Sequence, residues 1–165
     1  MKKLILLRHA KSSWKDVSIN DFDRPLNKRG NRDVSTMADT FLNRNIKLDL
    51  IISSSAKRTV DTAKVFAETL GFGSNILIKD ELYEASSYEI LKCINQIDNI
   101  YNNVLIVCHN PGITNLSNYL SDFMIDNIPT TGIVGLSFEN NWKEIKGKSG
   151  SFLFFDYPKK YFKRN

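Results

Sequence analysis

The sequence predicts a single α/β domain with a largely parallel sheet, and three observations lead to this prediction. Apolar runs typical of buried strands alternate with stretches in which apolar residues recur at helical spacing. The runs are apolar at nearly every position, as in strands that are covered on both faces. The chain of 165 residues can form one core and shows no repeat or linker, so we expect one domain over residues 1–165.

The candidate strands are five apolar segments. They are LILL at residues 4–7, LDLIIS at 48–53, VLIVC at 104–108, TGIVGLSF at 131–138 and FLFF at 152–155. Their separation by helical patterns predicts a parallel sheet with helices on both faces.

Helices are predicted where apolar residues recur at spacings of three and four. One covers residues 31–42, one begins near Arg58 and one follows Ser86 or Ser87. A fourth follows the turn in NPGITNL, residues 110–116. The expected buried faces are Val34, Ala38, Phe41 and Leu42 in the first helix, Ala56, Val60, Ala63, Ala67 and Leu70 in the second, and Ile90, Leu91 and Ile94 in the third.

Charge and composition narrow the classes of protein. A formal net charge of +5 favours anionic partners, but part of that excess lies in the tail YPKKYFKRN, which we expect to be a solvated end and not an RNA-binding arm. No apolar stretch is long enough to cross a bilayer, and the apolar start ends at Arg8 without a signal-peptide cleavage site, so a cytoplasmic location is expected. Cys93 and Cys108 form no metal-type cluster, and both are expected to be reduced and buried.

Two arginines and both histidines of the chain follow the predicted strands. Arg8 and His9 come at the end of the first strand, Arg58 opens the helix after IISSS, and His109 follows VLIVC. The carboxyl ends of parallel strands line the ligand crevice of open α/β sheets. We therefore expect these four residues at one edge of the sheet, where helix N-termini add N–H donors that suit a phosphate.

The same residues carry a resemblance to a known family. LLRHAKSSW, IISSSAKRTVDTA and VLIVCHNPGI resemble, in this order, three signature segments of the histidine phosphatase superfamily. RHAKSSW together with DFDRPLNKRG is most similar to the SixA-type phosphohistidine phosphatases. The resemblance implies a three-layer α/β/α sandwich of the phosphoglycerate mutase type, and phosphoryl transfer through a phosphohistidine without a metal or other cofactor.

Carried over by motif, the resemblance implies a role for each residue. His9 would be the nucleophile, Arg8 and Arg58 the phosphate clamp, and His109 a further donor to the transferring group. A neutral imidazole can attack phosphorus, and the planar fork of arginine pairs two phosphate oxygens.

Two further candidates are Ser12 and Glu84. Ser12 is compatible with a hydroxyl contact to phosphate, and solvent exposure is the alternative. Glu84, in ELYEAS, fits the Leu-x-Glu segment in which some members of the superfamily carry a proton donor, and a surface carboxylate is the alternative. In DFDRP, Asp23 and Arg24 are expected to pair with each other or to close over the site entrance. Ala10 stands where the superfamily more often has Gly, and Lys15 stands where the mutases have Asn.

The expected function is hydrolysis of phosphohistidine on a protein or a small phosphoramidate. The alternatives are a broad-specificity phosphomonoesterase, which Glu84 near the site would favour, and a non-catalytic phosphohistidine-binding module. A mutase fits the short chain less well. The expected partners are phosphorylated proteins or small phosphorylated substrates, with no nucleic acid and no membrane.

Overall fold

The sheet is built from six strands in the part of the chain that the computed structural model describes, residues 1–162. They are β1 (Lys2–Arg8), β2 (Leu50–Ser54), β3 (Leu77–Lys79), β4 (Asn103–Cys108), β5 (Ile133–Phe138) and β6 (Ser151–Asp156). Their order is β3-β2-β4-β1-β5-β6, with parallel pairing from β3 to β1 and antiparallel pairing of β5 with both of its neighbours. The sheet is therefore mostly parallel, as predicted.

Four α-helices cover the two faces of this sheet. They are α1 (Lys28–Leu42), α2 (Lys57–Thr69), α3 (Ser87–Asn95) and α4 (Gly112–Leu120). Consecutive residues of β1 point to opposite faces: Leu4 and Leu6 pack in one apolar cluster with α3 and α4, and Ile5 and Leu7 pack in the other with α1 and α2. This arrangement confirms the three-layer sandwich and explains why β1 is apolar throughout.

Several element predictions need correction. The helix predicted from residue 31 begins at Lys28, because the side chain of Asn27 accepts a hydrogen bond from Gly30 N and caps the helix. Leu42, expected on its buried face, is exposed. The buried face of α2 is centred on Thr59, Thr62, Ala63 and Phe66. The predicted Val60, Ala67 and Leu70 are therefore only partly buried.

The sheet edges also differ from the expectation. β3 was not predicted, because it has three residues and two of them, Leu77 and Ile78, are exposed. β6 forms the other edge, so Leu153 is exposed where the apolar run predicted a buried strand.

None of the helices in residues 1–162 is long and apolar enough to span a bilayer. Cys93 and Cys108 are buried and unpaired with each other, as expected, and the end of the basic tail, residues 163–165, lies outside the described part.

Two glycines allow close approaches next to the sheet edge where the polar residues collect. A Cβ on Gly30 would lie 2.1 Å from Lys11 O, so only glycine lets the start of α1 pack on the loop after β1. A Cβ on Gly112 would lie 2.2 Å from Ala85 O, so glycine also lets α4 pack against the segment before α3. Both contacts bring loops over the carboxyl ends of β1 and β4.

Candidate active site

The strand register places the two histidines side by side. β1 and β4 are neighbours, and Arg8 is paired with Cys108, so His9 and His109 follow at the same level of the sheet. Their ring centroids are 5.3 Å apart. β2 lies on the other side of β4, with Ser53 opposite Val107, which brings the end of β2 at Ser54 next to His109.

His9 is held by main-chain atoms. Its Nδ1 lies 2.8 Å from Ala10 O, and because a carbonyl oxygen can only accept, Nδ1 carries the proton and donates. Its backbone N–H donates to Cys108 O, and Thr131 N donates to His9 O. Burial, opposed by the bond to Ala10 and assisted by the charges of Arg58 and Arg8, lowers the pKa of His9 to about 3. At neutral pH the ring is therefore uncharged, with the lone pair on Nε2.

His9 is buried, with 8% of its surface exposed. The side chain lines the wall of a small cavity, and Nε2 is the ring nitrogen that the main chain leaves uncommitted. The arrangement suits an imidazole that acts as a nucleophile towards a group bound in that cavity.

His109 is held by side chains instead. Its Nε2 lies 2.7 Å from Ser54 Oγ, and its Nδ1 lies 3.5 Å from Nη2 of Arg58. The ring of Tyr83 packs edge-on against it at 5.7 Å. Burial and the charge of Arg58 lower the pKa of His109 to about 4, so this ring is also neutral at pH 7.

Arg8 and Arg58 both line the cavity that His9 lines. Arg8 Nη1 donates to Ile128 O at 2.9 Å, and Arg58 Nη1 donates to Asp21 O at 2.8 Å. The Nε atoms of both arginines are buried, and neither finds an acceptor within residues 1–162. Burial and the nearby charge of Arg58 lower the pKa of Arg8. Two buried, unpaired cationic donors beside a neutral histidine form a site for an anion.

A carboxylate on the loop after β1 stabilises one side of this clamp. Asp21 accepts hydrogen bonds from Arg58 Nη2, from the hydroxyl of Tyr83, and from Nε and Nη2 of Arg24. Partial burial works to raise its pKa, but the hydrogen bonds from Tyr83 and Arg24 and the charge of Arg58 lower it to about 2. The bond to Asp21 in turn raises the pKa of Tyr83 to about 12. Asp21 is therefore a permanently ionised acceptor that orients Arg58.

Ser12 and Arg24 complete the wall of the cavity. Ser12 is buried, where solvent exposure was the alternative, and its hydroxyl accepts from Arg24 Nη1. Of the two alternatives for Arg24, pairing with Asp23 is wrong, since Arg24 pairs with Asp21 and lines the cavity. Its guanidinium lies 3.5 Å from the ring centroid of Trp14. The cavity has a volume of about 160 Å³ and is lined by Arg8, His9, Lys11, Ser12, Trp14, Arg24, Arg58 and Thr130.

Two larger surface cavities lie away from the histidines. One, of about 610 Å³, is formed by residues that follow α1 and α2, and it includes Leu48 and Asp49 directly before β2. The other, of about 470 Å³, lies around the loop after α4 and the end of β6. Neither is lined by a histidine or an arginine, so the smaller cavity is the candidate active site.

Glu84 is not brought to this cavity. Its side chain is exposed, and its backbone adopts a positive φ of 54°. The preceding residue, Tyr83, points inwards instead and contacts both His109 and Asp21. The role of Glu84 as a proton donor remains a prediction, and Glu84 does not line the cavity. Residues 1–162 contain no group of three or more His, Cys, Asp or Glu that could hold a metal ion.

The structure therefore brings together Arg8, His9, Ser12, Arg58 and His109, with Arg24 in the cavity wall, and it adds residues that the sequence did not assign. Asp21, Tyr83 and Ser54 lie against the site. The only signals for them were local, a DFDR segment in a polar loop and a run of three serines at the end of β2. Neither signal indicates that these side chains contact Arg58 or His109.

Comparisons with known proteins identify a family and relatives that this chain resembles. The family model of the histidine phosphatase superfamily (branch 1) matches residues 4–92. An uncharacterised chloroplast protein of Arabidopsis thaliana is 31% identical over 158 residues, covering 90% of this chain and 72% of that protein. An uncharacterised protein of Mycobacterium tuberculosis is 27% identical over 164 residues, covering 93% of this chain and 100% of that protein.

Solved structures show the same fold. The crystal structure of a candidate phosphohistidine phosphatase SixA from Agrobacterium tumefaciens is similar with a TM-score of 0.82 and 29% identity, covering 95% of this chain and 98% of that chain. The protein histidine phosphatase SixA complexed with tungstate has a TM-score of 0.83 at 17% identity, covering 96% and 98% of the two chains, and at that identity the likeness concerns the fold alone.

Proposed function

The chain belongs to the histidine phosphatase superfamily (branch 1), and from this membership we propose that it is a metal-independent phosphohistidine phosphatase in which His9 is the nucleophile. The observation that carries the proposal is the state of His9. Its proton is fixed on Nδ1 by Ala10 O, and it lines a cavity together with Arg8 and Arg58, two arginines whose buried Nε donors have no acceptor within residues 1–162. The likeness to the candidate SixA phosphohistidine phosphatase from Agrobacterium tumefaciens, at 29% identity, supports phosphohistidine as the substrate class.

The reaction follows from these positions in two steps. In the first, the lone pair on Nε2 of His9 forms a bond to phosphorus while the P–N bond of the substrate breaks, and the electron pair of that bond stays on the substrate imidazole. The negative charge on the equatorial phosphoryl oxygens is stabilised by Arg8 and Arg58. In the second step a water oxygen attacks phosphorus, the bond from phosphorus to Nε2 breaks with its electron pair staying on Nε2, and both water protons leave with the product as dihydrogen phosphate. His9 is thereby restored as a neutral imidazole whose Nδ1–H still donates to Ala10 O.

The carboxylates near the site favour phosphohistidine over alkyl phosphates. An alkyl ester expels an alkoxide that needs a proton in the transition state. Asp21 has a pKa of about 2 and is ionised, so it has no proton to give, and Glu84 is exposed outside the cavity. A phosphohistidine whose ring already carries a proton leaves as neutral imidazole and needs no such donor.

The experiment compares two substrates with and without the nucleophile. The purified protein, with chelator present, is assayed on a protein carrying phosphohistidine and on p-nitrophenyl phosphate, next to its His9→Ala variant. We expect hydrolysis of phosphohistidine by the wild type alone, and acid-labile phosphate trapped on the wild type after brief incubation. A strong preference for p-nitrophenyl phosphate would replace the proposal by a phosphomonoesterase. Tight binding of the phosphoprotein without turnover would replace it by a binding module.

A further inference from the structure

The hydroxyl of Ser54 is the one partner of His109 whose hydrogen-bond direction is not fixed. Ser54 is fully buried at the end of β2, and its Oγ lies 2.7 Å from Nε2 of His109. It does not line the cavity. A serine hydroxyl donates one hydrogen bond and accepts others, so it can serve either protonation state of the nitrogen that it faces.

The other nitrogen of His109 faces a group that can only donate. Nδ1 lies 3.5 Å from Nη2 of Arg58, and a guanidinium has no acceptor. In the free protein the favoured neutral tautomer therefore has an unprotonated Nδ1, with Nε2–H donating to Ser54 Oγ. Since Nε2 is committed to Ser54, Nδ1 is the nitrogen that can turn to a ligand.

A bound phosphoryl group favours the other tautomer of His109. Its oxygens accept hydrogen bonds, so His109 must present a proton on Nδ1 in order to contact them. We propose that Ser54 is a positioning residue that allows His109 to exchange tautomers: its hydroxyl accepts from Nε2–H in the free protein and donates to Nε2 when an oxyanion is bound. The ring stays neutral, because by exchange with water Nε2 loses one proton and Nδ1 gains one, so the number of protons on the protein does not change.

This inference rests on the proposed function, because it requires an oxyanion beside His9 and His109. It also accounts for a difference between the two rings. A carbonyl oxygen at Nδ1 of His9 permits one tautomer only, whereas a hydroxyl at Nε2 of His109 permits both.

The first arm of the test uses the unmodified chain. The two histidines give a simple nitrogen-15 NMR spectrum in which the chemical shifts show which ring nitrogen is protonated. The spectrum is recorded at neutral pH without ligand and with tungstate. We expect the His109 proton to move from Nε2 to Nδ1 on binding, while His9 keeps its proton on Nδ1. A His109 tautomer that is the same in both states, or a doubly protonated His109 in the complex, would overturn the inference.

The same spectra separate this inference from the proposed function. Tungstate that shifts the His9 signals without moving the His109 proton overturns the role of Ser54 and leaves the phosphatase proposal standing. Tungstate that perturbs neither histidine at millimolar concentration overturns the proposed anion site and, with it, this inference.

The second arm compares variants of neighbouring serines. Ser54→Ala leaves Nε2 buried without a partner, so we expect tungstate to bind about tenfold more weakly. Ser53→Ala is the matched control: Ser53 is equally buried, but its hydroxyl donates to Ser54 O and does not contact His109. We expect Ser53→Ala to keep the tautomer change, and Ser54→Thr, which retains a hydroxyl, to restore binding. Equal weakening by both alanine variants would show a structural effect and would contradict the proposal.

Discussion

The two histidines of the site occupy equivalent places at the ends of adjacent parallel strands, yet the chain holds them in different ways. His9 is bound by the carbonyl of Ala10 and by its own main-chain bonds to Cys108 and Thr131. His109 is surrounded by the side chains of Ser54, Arg58 and Tyr83. The difference teaches that one fold can fix a reactive group through its backbone and keep its neighbour adjustable through side chains.

Under the proposed function, the two histidines have different roles. A nucleophile must present the same lone pair at every turnover, and a carbonyl that can only accept ensures this. A group that contacts the transferring phosphoryl must respond to whether an anion is present, and donors and hydroxyls on side chains permit the response. Substitutions should therefore lower the rate of hydrolysis most at His9 and progressively less around His109.

The largest effect is expected for His9→Ala. The variant lacks the lone pair on Nε2, so phosphohistidine hydrolysis should fall by roughly 10,000-fold or more. The measurement is single-turnover hydrolysis together with trapping of acid-labile phosphate on the protein. Circular dichroism and a urea unfolding curve serve as controls for folding, since His9 is buried and its removal leaves a space. Label that persists on the variant would assign the nucleophile elsewhere and end the contrast between the two histidines.

Arg58→Lys should produce the next largest loss. Arg58 donates from Nη1 and Nη2 to Asp21, and its Nε is a further buried donor without an acceptor in residues 1–162, whereas a lysine has one nitrogen for all contacts. We expect kcat/KM to fall about 100-fold, with vanadate inhibition weakened in parallel. Lys57→Ala is a suitable control, because Lys57 is the preceding residue of α2 and pairs with Asp61 on the surface. Activity within a few-fold of wild type in Arg58→Lys would mean that charge alone, without the fork, is sufficient.

The pH dependence of the free energy of unfolding should report the low pKa values of the two histidine rings. Burial holds the pKa of His9 near 3 and that of His109 near 4, while an unfolded histidine titrates near its ordinary value of 6.5. Between pH 6.5 and 5 the unfolded chain therefore binds protons that the folded chain does not, and the free energy of unfolding should fall by up to about 2 kcal/mol per histidine. Asp21, with a pKa of about 2, titrates below this window.

Urea unfolding at pH 7.5, 6.5 and 5.0 measures this effect. His109→Gln should remove about half of the acid-induced loss, since one neutral buried histidine remains. A wild type that is equally stable at pH 7.5 and 5.0 would contradict the low pKa values of both rings. Unchanged acid sensitivity in His109→Gln would place the whole effect on His9.

The placement of the four principal site residues could be predicted from the sequence because it follows from strand order alone. Apolar runs mark β1 and β4, and residues directly after parallel strands meet at one edge, so His9 and His109 had to be neighbours if those strands paired. Arg58 followed from the same reasoning, as the second residue of the helix after β2. These predictions needed no knowledge of side-chain packing.

The residues that support them could not be found in this way. Asp21 contacts Arg58 across 37 positions of the chain, and Tyr83 contacts Asp21 across 62, through loops whose paths no periodicity encodes. Ser54 stands in a run of three serines, and only the register of β2 against β4 selects the one that contacts His109. The protonation state of His109 depends on its contacts to Ser54 and Arg58, so it could not be predicted from the sequence either.

The smallest effect is expected at the residue that sequence reasoning offered as the proton donor. Glu84→Gln should leave hydrolysis of both phosphohistidine and an alkyl phosphate within about twofold of wild type, because exposed substitutions away from a site rarely act further. Its neighbour provides the contrast: Tyr83→Phe removes the hydroxyl that holds Asp21, and a bond of this kind to a charged group is worth about 1.5–3 kcal/mol, so a loss of roughly tenfold is expected. The measurement is the ratio of the two activities in each protein, which cancels errors in enzyme concentration. If Glu84→Gln lowered alkyl phosphate hydrolysis selectively, Glu84 would be a proton donor that reaches the cavity in the substrate complex. An unchanged ratio in Glu84→Gln, beside a clear loss in Tyr83→Phe, would place the influence of this segment on Asp21 and His109, through Tyr83.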